Sequence, residues 1–388
     1  MMDPALAERL TAWRRHLHTH PELSQQEAAT SRFVQQRLVE LGVPFVAGVG
    51  AHGIVATLSR GGSNRSVGLR ADMDALPIAE TTGLAYASAN PGVMHACGHD
   101  GHTVSLLGAA ALLQADPDWR GTVQLIFQPA EEDGTGARGM IADGLFERFP
   151  MERVFAFHNL PGLETGTVGV RPGPVMAQGG RIVITVAGHA GHGAKPHLTR
   201  DPIVAAAQLI TALQSVVARN VDPLEPAVVT IGAIHGGTVS NQIPETVTLH
   251  GTVRSFRPGQ RPEIIADIQR ICDGIGVTFG VTVALDAAPG GMVTINSEEG
   301  AALAAGAAEQ AGFPVRCDIP PSTGGEDFAF MLAQRPGAMA WIGNGPAEPG
   351  RELHNPGYDF NDAILPVAAT WLAGVAKRAL VEGEAVAR

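Results

Sequence analysis

Eight consecutive residues, His95-Ala96-Cys97-Gly98-His99-Asp100-Gly101-His102, hold one thiol and three imidazoles in a chain with only 3 cysteines. Thiolate sulfur and neutral imidazole nitrogen are the side-chain donors that hold zinc and similar divalent ions, so the cluster points to a metal site. A carboxylate pair, Glu131-Glu132, follows one element later, and histidines flanked by turn residues stand at His158 and His354. Together these parts describe a metallohydrolase. Hydrolysing an amide at neutral pH needs a nucleophilic water, a polarised carbonyl and a proton donor for the leaving amine. Bound cations serve the first two needs and a carboxylate beside them the third, so one glutamate is expected on metal and the other on the proton.

The elements that must position these groups are legible from periodicity. Apolar residues recur at helical spacing from Ala5 to Leu41, with Gly42 placed to stop the helix. Short β-rich runs follow at Ile54–Leu58 and Ser66–Arg70, then a loop and an Ala/Leu-rich helix from about His102 to Gln114. Gly121–Phe127 and Val154–Phe157 read as buried strands. On this reading Cys-Gly-His, Pro-Ala-Glu-Glu and His158-Asn159-Leu160-Pro161 all fall at strand ends, where open α/β sheets place their ligands. The alternation of strand and helix predicts a largely parallel or mixed sheet covered on both faces.

The pattern changes after Arg171-Pro172-Gly173-Pro174, which reads as a hinge. Strand Arg181–Val186, helix Pro202–Arg219, strands Val228–Ile234 and Thr246–Ser255, helix Arg261–Ile275 and strand Val277–Leu285 give the order βαββαβ of a ferredoxin-like sandwich. Pro289-Gly290-Gly291 then returns the chain to helices at Glu298–Ala311 and about Ala363–Val381. The expected architecture is an α/β catalytic domain of residues 1–176 and 291–388, interrupted by an inserted domain of residues 177–290.

Composition narrows the partner. With 388 residues, 45% hydrophobic and 17% charged, the chain can bury two cores. A formal charge of -11 without a long basic run argues against nucleic acid or an anionic membrane, leaving a small-molecule substrate. Met1–Arg15 lacks a secretory apolar core, no uninterrupted membrane-length apolar run is evident, and the scattered Cys97, Cys272 and Cys317 make no disulfide framework, so a cytoplasmic location is expected.

Taken singly, His52, His235 and His250 read as surface or satisfied core histidines, Cys97 as a small buried hydrophobe, and Glu131-Glu132 as a solvated pair. The conjunction of donors in one domain carries the metal reading. Gly48-Val49-Gly50-Ala51-His52-Gly53 matches a dinucleotide-binding pattern, but the following Ile54–Leu58 reads as a strand where a helix is required, so it is discarded. A serine-hydrolase elbow and a phosphate-binding loop are also missing from the sequence.

The chain resembles the M20 metallopeptidases, and within them the amidohydrolase branch of hippurate hydrolases, N-acyl-L-amino-acid amidohydrolases and auxin-conjugate hydrolases. The resemblance runs through Arg14-Arg15-His16-Leu17-His18 with Pro21-Glu22-Leu23, Arg70-Ala71-Asp72-Met73-Asp74, the Cys97 cluster and Gln128-Pro129-Ala130-Glu131-Glu132. It continues through Gly191-His192-Gly193, Ser240-Asn241-Gln242, Gly251-Thr252-Val253-Arg254, Gly324-Gly325-Glu326-Asp327-Phe328 and His354-Asn355-Pro356, nearly the whole chain.

That resemblance implies a dinuclear zinc-peptidase-like domain with a smaller lid that often dimerises. It implies Cys97, His99, Glu132, His158 and His354 as ligands of two divalent ions, Glu131 as general base and acid, and His192 as support for the oxyanion. Asn241 and Arg254 would meet a substrate carboxylate, although a strand-surface ion pair suits Arg254 equally. Asp72-Met73-Asp74 departs from the His-x-Asp of the wider family, as the amidohydrolase branch does; either acid could orient a ligand histidine from behind. The mixed S/N/O set admits zinc, manganese, cobalt or nickel. The expected activity is hydrolysis of N-acetyl- or N-benzoyl-type N-acyl-L-amino acids, with a dipeptidase as the alternative enzyme and a non-catalytic binding protein as the alternative class.

Overall fold

A computed structural model of the chain describes residues 2–381, so residues 382–388 of the expected catalytic domain lie outside the described residues. Two compact units emerge: Met1–Val175, Thr294–Pro320 and Asp327–Arg388 form one, Met176–Val293 and Pro321–Glu326 the other. The short return of Pro321–Glu326 was expected in the first unit. A bridge between Met176 and Ser322 ties it to the second.

In the first unit the expected single helix over Ala5–Leu41 is two, α1 (Pro4–Thr19) and α2 (Ala28–Glu40). Pro21 explains the break, because it cannot donate an intrahelical hydrogen bond and disfavours helical backbone at His20. Strands β1 (Phe45–Val49) and β2 (Gly53–Arg60) form a hairpin, which places the discarded glycine pattern in its turn. Then come β3 (Ser66–Asp72), α3 (His99–Ala115), β4 (Gly121–Gln128), β5 (Arg153–Pro161) and the short β6 (Val168–Gly169).

The second unit contains β7 (Gln178–Ala187), α4 (Pro202–Ser215), β8 (Ala227–Gly236), β9 (Thr246–Ser255), α5 (Gln260–Phe279) and β10 (Thr282–Ala287). Its antiparallel sheet has the order β8-β9-β7-β10. The strand expected over Val277–Leu285 begins later, because α5 continues to Phe279 and stops at the left-handed Gly280. One sheet face buries Ile182, Ile184, Leu249 and Val253 against Leu209 and Leu213 of α4 and Ile264 and Ile268 of α5.

The chain returns as α6 (Glu298–Gln310), the short β11 (Val315–Arg316), β12 (Gly337–Gly345) and α7 (Leu365–Val381). The first unit's sheet is mixed, with order β1-β2-β4-β3-β5-β12-β6-β11. β4, β3, β5 and β12 run parallel to one another, so their carboxyl ends share one edge. Residues 202–220 and 362–381 are apolar and long enough to cross a membrane by length and composition alone. In α7 that character is explained by burial: Trp371, Leu372 and Val375 lie in the first unit's core with Leu107, Phe127 and Phe155.

Candidate metal centre

Three parallel strands deliver the acidic and imidazole groups. Asp72 ends β3 and lies opposite Gln128, the last residue of β4, so the loop to Glu131 and Glu132 leaves the same edge. His158 stands in the carboxyl-terminal half of β5. Cys97-Gly98-His99 does not follow a strand as expected; it forms the entry to α3, with Gly98 as N-cap at φ +90°. That position requires glycine, since a Cβ there would lie 2.4 Å from Asn159 Oδ1 and 2.7 Å from Tyr358 Oη. The coil between β3 and α3 is pinned at intervals: Ala75 N–H donates to Glu22 O, Thr81 N–H to Pro356 O and Ala89 N–H to Thr19 O.

The structure gathers the five anticipated ligand residues. Donor atoms of Cys97, His99 and His158 all lie within 4.8 Å of one another, as do those of Cys97, Glu132 and His354, and those of His99, Glu131 and Glu132. Cys97 Sγ is 3.3 Å from His158 Nε2, and Glu132 Oε1 is 3.8 Å from His99 Nε2 and 3.5 Å from His354 Nε2. His158 Nδ1 is 2.8 Å from Asn159 O, and His99 Nδ1 lies 3.0 Å from Asp74 O and 3.2 Å from Asp74 Oδ1. Each Nδ1–H therefore donates away from the cluster and turns Nε2 into it.

Two buried atoms at the centre, His99 Nε2 and Glu132 Oε1, have no hydrogen-bond partner. Leaving such groups unpaired is costly, and a divalent cation satisfies both at once. The electrostatics show groups that a cation would shift to their ligating forms. Against burial, Asp72, Asp74 and Cys97 hold His99 well above its ordinary range, so its ring carries a proton that a cation would displace. Burial, reinforced by Glu132, pushes the Cys97 thiol well up, and burial pushes the Glu132 carboxyl up to about 7 despite His99 nearby. Burial holds His158 well below its usual range, so it is a neutral donor. A cation stabilises thiolate and carboxylate and suits neutral imidazole, so the residues present fit the group.

Behind the donors lies a buried polar chain. Burial disfavours charge on Asp72, but His99, His102 and Arg70 outweigh it and hold the carboxyl well below its ordinary range. Its oxygens face His102 Nδ1 at 2.6 Å and Arg70 Nη1 at 2.7 Å. His102 Nε2 is 2.7 Å from Asn159 Oδ1, and Asn159 Nδ2 donates to Tyr358 Oη at 2.6 Å. The Arg70 guanidinium, 1% exposed, also donates to Gln128 Oε1 and Asp327 Oδ1, and Asp327 N–H reaches Glu131 Oε1 at 3.3 Å. Thus Asp74 hydrogen-bonds a candidate ligand directly, whereas Asp72 pairs with Arg70 and His102 and lies 3.8 Å from His99 Nε2. Arg70, Asn159, Asp327 and Tyr358 were assigned no role from sequence, and His102 was noticed only as part of the cysteine-histidine cluster.

Three further expected residues stand on the second unit. His192 is exposed and pairs with Gln242 in a short two-stranded ladder, and Asn241 O accepts Gly193 N–H at 2.8 Å, so His192 and Asn241 are neighbours. Ala194 N–H donates to His192 Nδ1 at 3.1 Å, which places the ring proton on Nε2. Arg254 is half-buried on β9, with Nη1 donating to Val253 O at 3.1 Å.

Residues 68–378 match the model of peptidase family M20/M25/M40. The chain is 40% identical over 380 residues to the N-acetyl-L-cysteine deacetylase of Bacillus subtilis, covering 98% of this chain and 90% of that protein. It is likewise 40% identical over 369 residues to the hippurate hydrolase of Campylobacter jejuni, covering 95% of each. A crystal structure of a dinuclear metal-binding M20 peptidase from Bacillus subtilis superposes with a TM-score of 0.84 at 36% identity, covering 96% of this chain and 98% of that one. The chain belongs to peptidase family M20, on its amidohydrolase branch, and is a metal-dependent amidohydrolase.

Proposed function

We propose that the protein hydrolyses the amide bond of N-acyl-L-amino acids of the N-acetyl or N-benzoyl kind, releasing a carboxylic acid and a free amino acid. The observation that carries the reading is the convergence of Cys97, His99, Glu132, His158 and His354 beside Glu131. Relatives that deacetylate N-acetyl-L-cysteine or hydrolyse hippurate support the substrate class.

In this reading those five residues hold two divalent ions, which polarise the scissile carbonyl and lower the pKa of water when bound. Glu131 takes the proton of the attacking water and returns it to the departing nitrogen, a transfer that balances over the cycle. Asp327 N–H, donating to Glu131 Oε1 at 3.3 Å, helps to hold that carboxylate in place. His192, with its proton on Nε2, is assigned to the developing oxyanion, and Asn241 and Arg254 to the substrate carboxylate. We assign the second unit, with its βαββαβ order, to a ferredoxin-like lid that also joins two copies of the chain. A cytoplasmic setting suits its three free cysteines.

Purified Glu131→Ala should retain metal and lose turnover by about a hundredfold or more. Amine release from N-acetyl and N-benzoyl amino acids, compared with a dipeptide bearing a free amino group, reads both activity and class. Undiminished hydrolysis by the variant would defeat the assignment of Glu131, and preference for the dipeptide would defeat the substrate class.

A further inference from the structure

The segment Pro21-Glu22-Leu23-Ser24-Gln25-Gln26-Glu27, which links α1 to α2, is left without a task by the reaction as described. Its side chains nevertheless reach the loop that carries both glutamates. Glu27 is 0% exposed, and its Oε1 accepts the N–H of Ala130 at 2.7 Å and of Gln25 at 3.1 Å. Its other oxygen, Oε2, is buried without a hydrogen-bond partner, a cost that a merely space-filling side chain would not carry. Ser24 Oγ and Glu132 N–H both donate to Asp74 Oδ2, at 2.7 and 3.0 Å, and Gln25 Nε2 donates to Thr135 Oγ1 at 2.6 Å.

The residue that Glu27 holds is unusual. Ala130 has φ +53°, left-handed backbone that is strained for a residue with a Cβ. It immediately precedes Glu131 and Glu132, so its dihedrals set the direction in which the chain presents both carboxylates. Its own carbonyl accepts the N–H groups of Thr135 and Gly136, at 3.3 and 2.9 Å, which closes the loop behind the glutamates. Relaxation of Ala130 to ordinary backbone would break this closure and re-aim the pair. Non-glycine residues in strained backbone persist where the surroundings over-determine them.

We propose that Glu27 is a positioning residue for the hydrolysis: by accepting the Ala130 N–H it holds a strained left-handed turn that aims Glu131 and Glu132. The inference rests on the reading of Glu131 as proton carrier and Glu132 as metal ligand. Misplacement of either carboxylate by about 1 Å costs turnover far more than binding.

The test is a double-mutant cycle of Glu27→Ala and Ala130→Gly, with Glu27→Gln, Glu27→Met and Glu131→Gln beside it. The readouts are kcat and KM for one N-acyl amino acid, metal retained against graded chelator, and the thermal midpoint. Glu27→Ala and Glu27→Met should each lower kcat about tenfold or more, shift KM by less than about threefold, and release metal at lower chelator concentration. Glu27→Gln keeps an accepting oxygen and should retain most of kcat. In the Ala130→Gly background the loss caused by Glu27→Ala should shrink, because glycine enters left-handed backbone without strain.

An equal fractional loss in both backgrounds, or wild-type kcat and metal retention in Glu27→Met, overturns the inference. Glu27→Met preserves volume, so it separates lost packing from the lost acceptor if Glu27→Ala melts early. Full turnover of Glu27→Met beside an inactive Glu131→Gln would sink the role of Glu27 alone, whereas an active Glu131→Gln would sink the reading on which it depends.

Discussion

The proposed ligands take their aim from atoms behind them. His99 is held by Asp74, whose carboxyl is kept low by His99 and Ser24 against the opposing effect of burial. Asp74 also accepts Glu132 N–H, so one carboxylate orients two donors. Replacing Asp74 by Asn keeps the volume but removes the charge that fixes the His99 tautomer. Affinity for Zn(II) or Mn(II), measured by competition with a chelating dye, should fall about tenfold to a hundredfold; an unchanged dissociation constant would show that Asp74 only fills space. Cys97 and His99 drew attention because one of the chain's 3 cysteines stands among clustered histidines, whereas the full proposed set with Glu132, His158 and His354 came from the resemblance to the M20 family. Glu27, Arg70 and Tyr358 were not legible in the sequence, since their roles exist only through partners distant in sequence: Arg70 with Asp327, Tyr358 with Asn159, Glu27 with Ala130. A glutamate before a helix or an arginine in a strand has no local mark that separates it from a solvated one.

Among the elements, α1 does more than pack. Its buried Arg14 donates to Asp359 and Asp362, at 3.1 and 2.7 Å, which ties the N-terminal helix to the turn before α7. One turn on, His18 faces Asp100 through Nδ1 at 2.9 Å and Glu80 through Nε2 at 3.4 Å, so both ring nitrogens donate. Burial works against the charged ring, but hydrogen bonds to the two carboxylates prevail and raise its pKa to about 9. The pair clamps the coil that ends in Cys97 to the first turn of α3. A folded-state pKa above the unfolded value near 6.5 means that this stabilisation is complete below about pH 6.5 and is lost as pH rises through about 9. The contribution is on the order of 3 kcal/mol, so urea midpoints should fall as pH rises from 6.5 to 9. His18→Asn should be less stable at pH 6 and lose most of that slope; an unchanged slope would place the titrating group elsewhere. Helices were the most legible elements because their apolar faces repeat, apart from the break at Pro21. The strands β1 and β12 escaped notice. β12 is buried on both faces, so its residues show no alternation, and glycines at Gly337, Gly343 and Gly345 mimic a loop.

At the scale of the whole chain, each unit closes a core of its own. The first packs α3 and α7 with its mixed sheet through Leu106, Leu107, Leu125, Phe155, Trp371 and Leu372. The second packs α4 and α5 on an antiparallel sheet through Ile184, Leu209, Leu213, Leu249, Ile264 and Ile268. Separate cores with few chain crossings predict separate melting, because cooperativity follows shared burial. All five proposed ligands belong to the first unit, so a cation stabilises that unit by mass action and leaves the other unaided. Calorimetry of the full chain should then resolve two transitions, of which Mn(II) or Zn(II) raises one by about 3 kcal/mol at a hundredfold excess over the dissociation constant, and chelator lowers the same one. Glu132→Ala should abolish that shift without moving the other transition, and Leu209→Ala in the core of α4 should lower the second by about 2–5 kcal/mol without changing the metal response of the first. A single transition moved by metal, by Glu132→Ala and by Leu209→Ala alike would show instead that the two cores melt as one cooperative body.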